Sequence, residues 1–156
     1  MRIVIILLVF LGLSVNLNLA YSASGIGDSG SGLYKSGKKL IIKAKKLEEK
    51  NKIEKAEKLY FKALDKLQKA YDKDKKNADI LNYLGFALRK TGDFEKAEKF
   101  YLEGLRLDAE HLGINEYLGE LYVQTGRIEL AKARLEALNG CKCEEYEKLK
   151  ELIEKN

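Results

Sequence analysis

Apolar residues recur along the chain at the three-to-four-residue spacing of helices, and strand-like alternation is absent. In the segment from Ala78, Leu81, Leu84 and Leu88 fall at i, i+3 and i+7, one stripe of a helix. A second stripe follows Gly92: Phe94, Ala97, Tyr101 and, more weakly, Gly104, with Asp93 placed to cap its start. The pair of stripes is then repeated. Leu84-Gly85 returns as Leu118-Gly119, Gly92 as Gly126 and Ala97 as Ala131, each displaced by 34 residues. The second copy reads Leu118, Gly119, Tyr122, Gly126, Ile128, Ala131, Leu135 and Leu138. Gly92 and Gly126 stand where a helix ends in a left-handed residue, a conformation in which a Cβ is costly. Gly85 and Gly119 lie inside the first helix of each copy, where a side chain would push neighbouring helices apart. A generic helical hairpin needs no Gly and Ala at fixed phase, so the pattern predicts hairpins that nest in succession.

The segment before this duplication fits at a shift of 41 residues, which is 34 plus 7. Leu81 then maps to Leu40, Gly85 to Ala44, Leu88 to Leu47, Gly92 to Asn51, Phe94 to Ile53, Ala97 to Ala56 and Tyr101 to Tyr60. Asn is the second choice for a left-handed cap, and Ala can replace a close-packing Gly. The seven additional residues predict two extra turns on the second helix, carrying Leu64, Leu67, Ala70 and Tyr71; a kinked helix is the alternative. Past Asn139-Gly140, Tyr146, Leu149 and Ile153 recur at helical spacing and predict a last helix over 144–155 that covers the end of the stack.

At the other end, Arg2 precedes an unbroken apolar run from Ile3 to Leu13, then a more polar stretch with small residues at Ala20 and Ser22. Residues 1–23 thus read as a secretory signal peptide, an uncleaved N-terminal anchor being the rival. No Cys follows the run, which argues against a lipid anchor of the bacterial lipoprotein kind. Residues 24–33 are Gly- and Ser-rich and predict a flexible linker, with folding expected from about Leu33 or Tyr34.

The period of 34 residues, the repeated Leu-Gly, the bulky residue three positions on, the turn Gly and the following Ala resemble tetratricopeptide-repeat (TPR) proteins. The resemblance covers 78–138 well and 37–70 loosely. It implies an all-α solenoid of about three helix-turn-helix repeats, near 37–77, 78–111 and 112–140, plus the capping helix. Ala109 departs from the Pro usual at a repeat end, and Leu81 and Asn115 replace the early Trp. The wording LNYLGFALRKTGDFEKA and HLGINEYLGELYVQTG, with the following cysteine pair and CEEYEKL, is similar to a group of small exported proteobacterial TPR proteins. The resemblance implies protein binding through a concave groove, with no catalysis and no cofactor.

By that resemblance the groove is lined from the first helix of each repeat. The second repeat supplies Asp79, Asn82, Tyr83, Phe86, Arg89 and Lys90, and the third Gly113, Glu116, Tyr117, Glu120, Val123 and Gln124. The first adds Lys38, Ile41, Lys45 and Glu48. Asn82, Arg89 and Lys90 suit a clamp for a peptide carboxylate, but Glu116 and Glu120 stand where such a clamp wants cations. A groove basic on one repeat and acidic on the next fits an extended peptide of mixed charge. The expected function is an exported adaptor, with envelope complex assembly as a setting that would suit it.

Composition adds little against this picture. Pro and Trp are absent and 34% of residues are charged, which suits an all-helical domain. The net charge of +5 is mild and its acidic residues are interspersed, which argues against a nucleic-acid partner. Cys141 and Cys143 form a C-x-C with four readings: a structural bridge at a helix start, a bridge to another chain, a soft-metal ligand pair, or disulfide exchange. The last is the alternative function, as a thiol-exchange or redox-sensing protein. The single His, His111, reads as a helix-start or groove-edge residue, with no nucleophile set beside it. No catalytic or metal site is expected.

Overall fold

The computed structural model describes residues 30–156, so the expected leader over 1–23 and residues 24–29 of the expected linker lie outside it. Seven helices and no strand make up the described residues: α1 (Gly30–Glu48), α2 (Ile53–Lys73), α3 (Ala78–Lys90), α4 (Phe94–Leu107), α5 (Leu112–Gln124), α6 (Ile128–Ala137) and α7 (Glu144–Glu154). Each packs on the next in chain order, and α1, α3, α5 and α7 also touch in succession. The even-numbered helices approach one another less closely, α2 and α4 meeting through side chains where the Tyr71 hydroxyl donates to Glu103 Oε1 at 3.0 Å and its ring meets that of Phe100. The hairpins therefore stack with the odd-numbered helices as one continuous inner layer and α2, α4 and α6 outside it. None of the described helices is long and apolar enough to cross a membrane.

Local chemistry repeats with the units. Asn51, Gly92 and Gly126 hold φ of 55°, 88° and 74°, the left-handed conformation the sequence spacing assigns to them. The residue after each then donates its backbone N–H to the last turn: Lys52 to Leu47 O at 2.8 Å, Asp93 to Leu88 O at 3.0 Å and Arg127 to Tyr122 O at 2.7 Å. Asn77, Asp93 and His111 cap α3, α4 and α5, each side chain accepting from the backbone N–H three residues on at 3.2 Å.

Between the layers, the stripes close into a core. Leu81 and Leu84 of α3, Ala97 and Tyr101 of α4 and Ile114 and Leu118 of α5 are all essentially inaccessible. Burial of each large apolar side chain contributes about 1.5–3 kcal/mol. Asn115, in place of an early Trp, is buried with its Nδ2 donating to Ala109 O at 3.1 Å and His111 O at 3.2 Å. It thus ties the turn entering α5, where the Pro is also missing.

Two features differ from the sequence reading. α1 opens at Gly30, so Gly30–Leu33 of the expected linker form its first turn. The cause is the long α2, a single 21-residue helix whose extra turns offer Leu67 and Ala70 to an equally extended partner. Leu33 packs against Ala70 and Ile80, and Gly37 makes room for Leu67, whose Cγ would stand 2.6 Å from a Cβ there. The second difference concerns the matched glycines. Gly85 accommodates the Tyr101 ring of its own hairpin, whereas Gly119 accommodates Leu149 of α7. Tyr101 is replaced in the third unit by the smaller, half-buried Leu135, and the capping helix fills the space instead.

Candidate functional site

The inner face carries a row of rings linking the first three odd-numbered helices. Tyr34 on α1 meets Tyr83 on α3 edge-on, centroids 5.9 Å apart, and Phe86 on α3 tilts against Tyr117 on α5 at 4.7 Å. Cations lie over these rings: Lys38 Nζ is 5.1 Å from the Tyr83 centroid, and Lys45 Nζ is 5.6 Å from Phe86 and 5.8 Å from Tyr117. Tyr60 of α2 joins from behind, its ring 6.0 Å from Phe86.

The eight residues expected to form the groove divide by exposure. Tyr83, Lys90, Tyr117 and Glu120 are partly exposed on the inner face. Asn82 and Glu116 are each 4% exposed and Arg89 9%, so they form its floor. Phe86, at 3%, belongs to the core that joins α1 to α3, as does Ile41 at 1%. A single sequence places a residue on the inner helix but does not show how deeply its neighbours cover it.

The cations expected to face a partner are already matched. Arg89 pairs with the Glu120 carboxylate and donates through Nη1 to Gln124 Oε1 at 3.4 Å. Lys90 pairs with Glu48 at 2.7 Å, and that carboxylate also accepts from the Tyr60 hydroxyl at 2.8 Å. These pairs join neighbouring units, so the expected alternation of a basic and an acidic repeat is largely consumed internally.

Two recesses open on this face. One, of about 550 Å³, lies at the C-terminal ends of α3 and α5 and is lined by Arg89, Glu120, Val123 and Gln124 with Lys148, Leu152 and Asn156. The other, of about 420 Å³, lies at their N-terminal ends, where Asp79, Asn82, Tyr83, Gly113, Glu116 and Tyr117 line it with the α4–α5 turn and Glu145. Burial pushes the Glu116 carboxyl up to about 7, with Glu120 and Glu145 adding to the rise and Lys148 and Lys45 opposing it. Burial likewise raises the Tyr117 phenol, helped by Glu116 and Glu120. Glu145 and Lys148 escaped the sequence reading because α7 signals only a covering helix; nothing in its spacing shows that it also walls the inner face.

Cys141 and Cys143 are bridged to each other, Cα atoms 5.1 Å apart, in the turn before α7, and no described cysteine is free. Lys142 between them holds φ 48°, and Cys143 is the N-cap of α7. His111 caps α5 through Nδ1 and turns Nε2 toward Asp79 Oδ1 at 3.5 Å. Among the described residues no three His, Cys, Asp or Glu side chains are grouped to hold a metal ion.

Residues 47–110 match the family model described as Tetratricopeptide repeat. No curated protein matches the chain. The TPR domain of Arabidopsis OM64 superposes with a TM-score of 0.51 at 16% identity, over 80% of this chain and 98% of that one. The second TPR domain of human RPAP3, solved in complex with an HSP70 peptide, gives 0.54 at 19% identity, over 82% of this chain and all (100%) of that one. The Yersinia enterocolitica type III secretion chaperone SycD, in complex with a peptide of the translocator YopD, gives 0.50 at 20% identity, over 76% and 89%. At these identities the likeness concerns the fold.

Proposed function

Starting from a chain that is a tetratricopeptide-repeat protein, we propose that it is a binding module that holds an extended peptide segment of a protein partner along its inner face. The observation that carries this reading is the set of half-exposed tyrosines, Tyr34, Tyr83 and Tyr117, on one continuous layer of helices, the last two lining a recess. Aromatic side chains give contact area at low entropic cost, and their hydroxyls can bond a peptide backbone. The RPAP3 and SycD structures, each solved with a peptide, support the mode of binding. The reading assigns no catalytic step. The leader-like residues 1–23 support an exported setting, periplasmic in a Gram-negative cell, where such an adaptor would serve envelope assembly.

Site-directed photocrosslinking in the native compartment tests this. A benzoylphenylalanine at Tyr83 or Lys45 is expected to capture the partner, whereas one at Leu102, exposed on the outer layer, is not. Capture from Leu102 alone, or equally from both faces, would overturn the assignment of the groove.

A further inference from the structure

The recess at the N-terminal ends of α3 and α5 has a charge unlike the rest of the inner face. Asp79, Asp108, Glu110, Glu116 and Glu145 all line it, and none of its lining residues is Lys or Arg. Some of these carboxylates serve the local structure. Asp79 stands in the first turn of α3 facing His111, and Asp108 Oδ1 accepts from the Glu110 backbone at 3.2 Å. Glu145 stands in the first turn of α7, whereas Glu116 serves no such local purpose. Among the described residues neither makes an ion pair, although Glu116 is almost wholly buried.

A second observation is independent of the acidic cluster. Asn82 lines the same recess at 4% exposure, and its Oδ1 has no hydrogen-bond partner. A buried acceptor left without a donor is costly; this oxygen is enclosed, and a donor in the recess removes that cost when the Asn82 amide turns to meet it. The flanking Tyr83 and Tyr117 complete a lining that combines anions, a free acceptor and π faces, which is the chemistry that selects a cation able to donate hydrogen bonds.

We propose that this recess anchors one basic side chain, lysine or arginine, of the peptide held in the groove, its charged head lying among Glu116, Glu145 and Asp79 and donating to Asn82 Oδ1. The proposal rests on the groove reading above and adds the residue class that sets the peptide's register. The arriving cation draws Glu116 back to its ionised form, so binding near neutrality releases protons. Burial, helped by Glu120 and Glu145 and opposed by Lys148 and Lys45, raises the Glu116 carboxyl to about 7, so that part of it carries a proton near neutrality in the free protein, and His111 faces Asp79 at the recess edge.

The test uses the whole purified chain and three end-blocked, fluorescein-labelled peptides in which glycine alternates with lysine, norleucine or glutamate. Anisotropy is expected to rise for the lysine peptide and not for the other two. E116Q combined with E145Q should weaken lysine-peptide binding by about tenfold. D65N, on the exposed face of α2, should leave it unchanged. Thermal melts of each variant separate lost binding from lost folding, and calorimetry in buffers of different ionisation enthalpy should show the proton release. Equal binding of the lysine and norleucine peptides, no binding of the lysine peptide, or no effect of E116Q with E145Q would overturn the proposal. So would spermidine displacing the peptide at equal concentration, which would make this a site for free polyamines. If these outcomes occur while Tyr83 still crosslinks a partner, the anchor is wrong and the groove reading stands; if Tyr83 captures nothing, the groove reading falls too.

Discussion

At the scale of single residues, the sequence disclosed backbone requirements better than electrostatic ones. A left-handed φ demands Gly or Asn, so Asn51, Gly92 and Gly126 could be placed from residue type alone. The environment of Glu116 could not, because its burial is made by α5, α7 and the neighbouring unit together. Its folded-state carboxyl titrates at about 7, above the ordinary carboxylate range. The raised value means that the folded protein holds this proton more tightly than the unfolded chain. Below the ordinary carboxylate range both states are protonated and nothing is lost; as pH rises through the window up to about 7, stability falls, and above it the loss is complete. Glu116→Gln removes this penalty. Urea denaturation should find it more stable than the parent by about 1–3 kcal/mol at pH 8, with the difference vanishing near pH 4.

At the scale of elements, the helices were legible where period and turn chemistry agreed, as in α3 to α6, and less so where length was set by a partner. α1 begins in a stretch whose composition reads as a linker, and it is helical because the extra turns of α2 need covering. The two matched glycines carry the same lesson: their phase announces a close approach but does not name the helix that approaches. Their substitutions should therefore differ. Gly85→Ala puts a Cβ within 2.7 Å of the fully buried Tyr101 ring. Overpacking of about 1–3 kcal/mol outweighs a helix-propensity gain of at most about 1 kcal/mol, so a net loss is expected in thermal melts. Gly119→Ala instead drives Leu149 outward, and α7 with it. Hydrogen exchange should accelerate in 144–154 while α3 and α4 keep their protection. Protection lost evenly through all units would contradict this division.

For the whole molecule, chain-order stacking followed from the repeat, but the bonds across units did not. Arg89 of α3 reaches Glu120 of α5, and Lys90, one residue on, reaches back to Glu48 of α1, so the end of α3 ties both neighbouring units. Each partner lies beyond the range of a local pattern, and only the closed stack brings them together. The two ties differ in worth. Lys90 and Glu48 are each about a quarter exposed (27%), and the solvent around them screens their attraction. Arg89 is buried, and removing its charge leaves Glu120 beside Glu116 without its ion-pair partner. Arg89→Met, which keeps the aliphatic volume, should therefore destabilise by about 2–4 kcal/mol, whereas Lys90→Met should cost less than about 1 kcal/mol. The extra negative charge left on α5 must also raise the Glu116 carboxyl further, so the Arg89→Met deficit should grow with pH across neutrality. Denaturation midpoints measured from pH 5 to 9 would check both the ranking and this slope; a pH-independent deficit would mean that Arg89 acts through packing rather than charge.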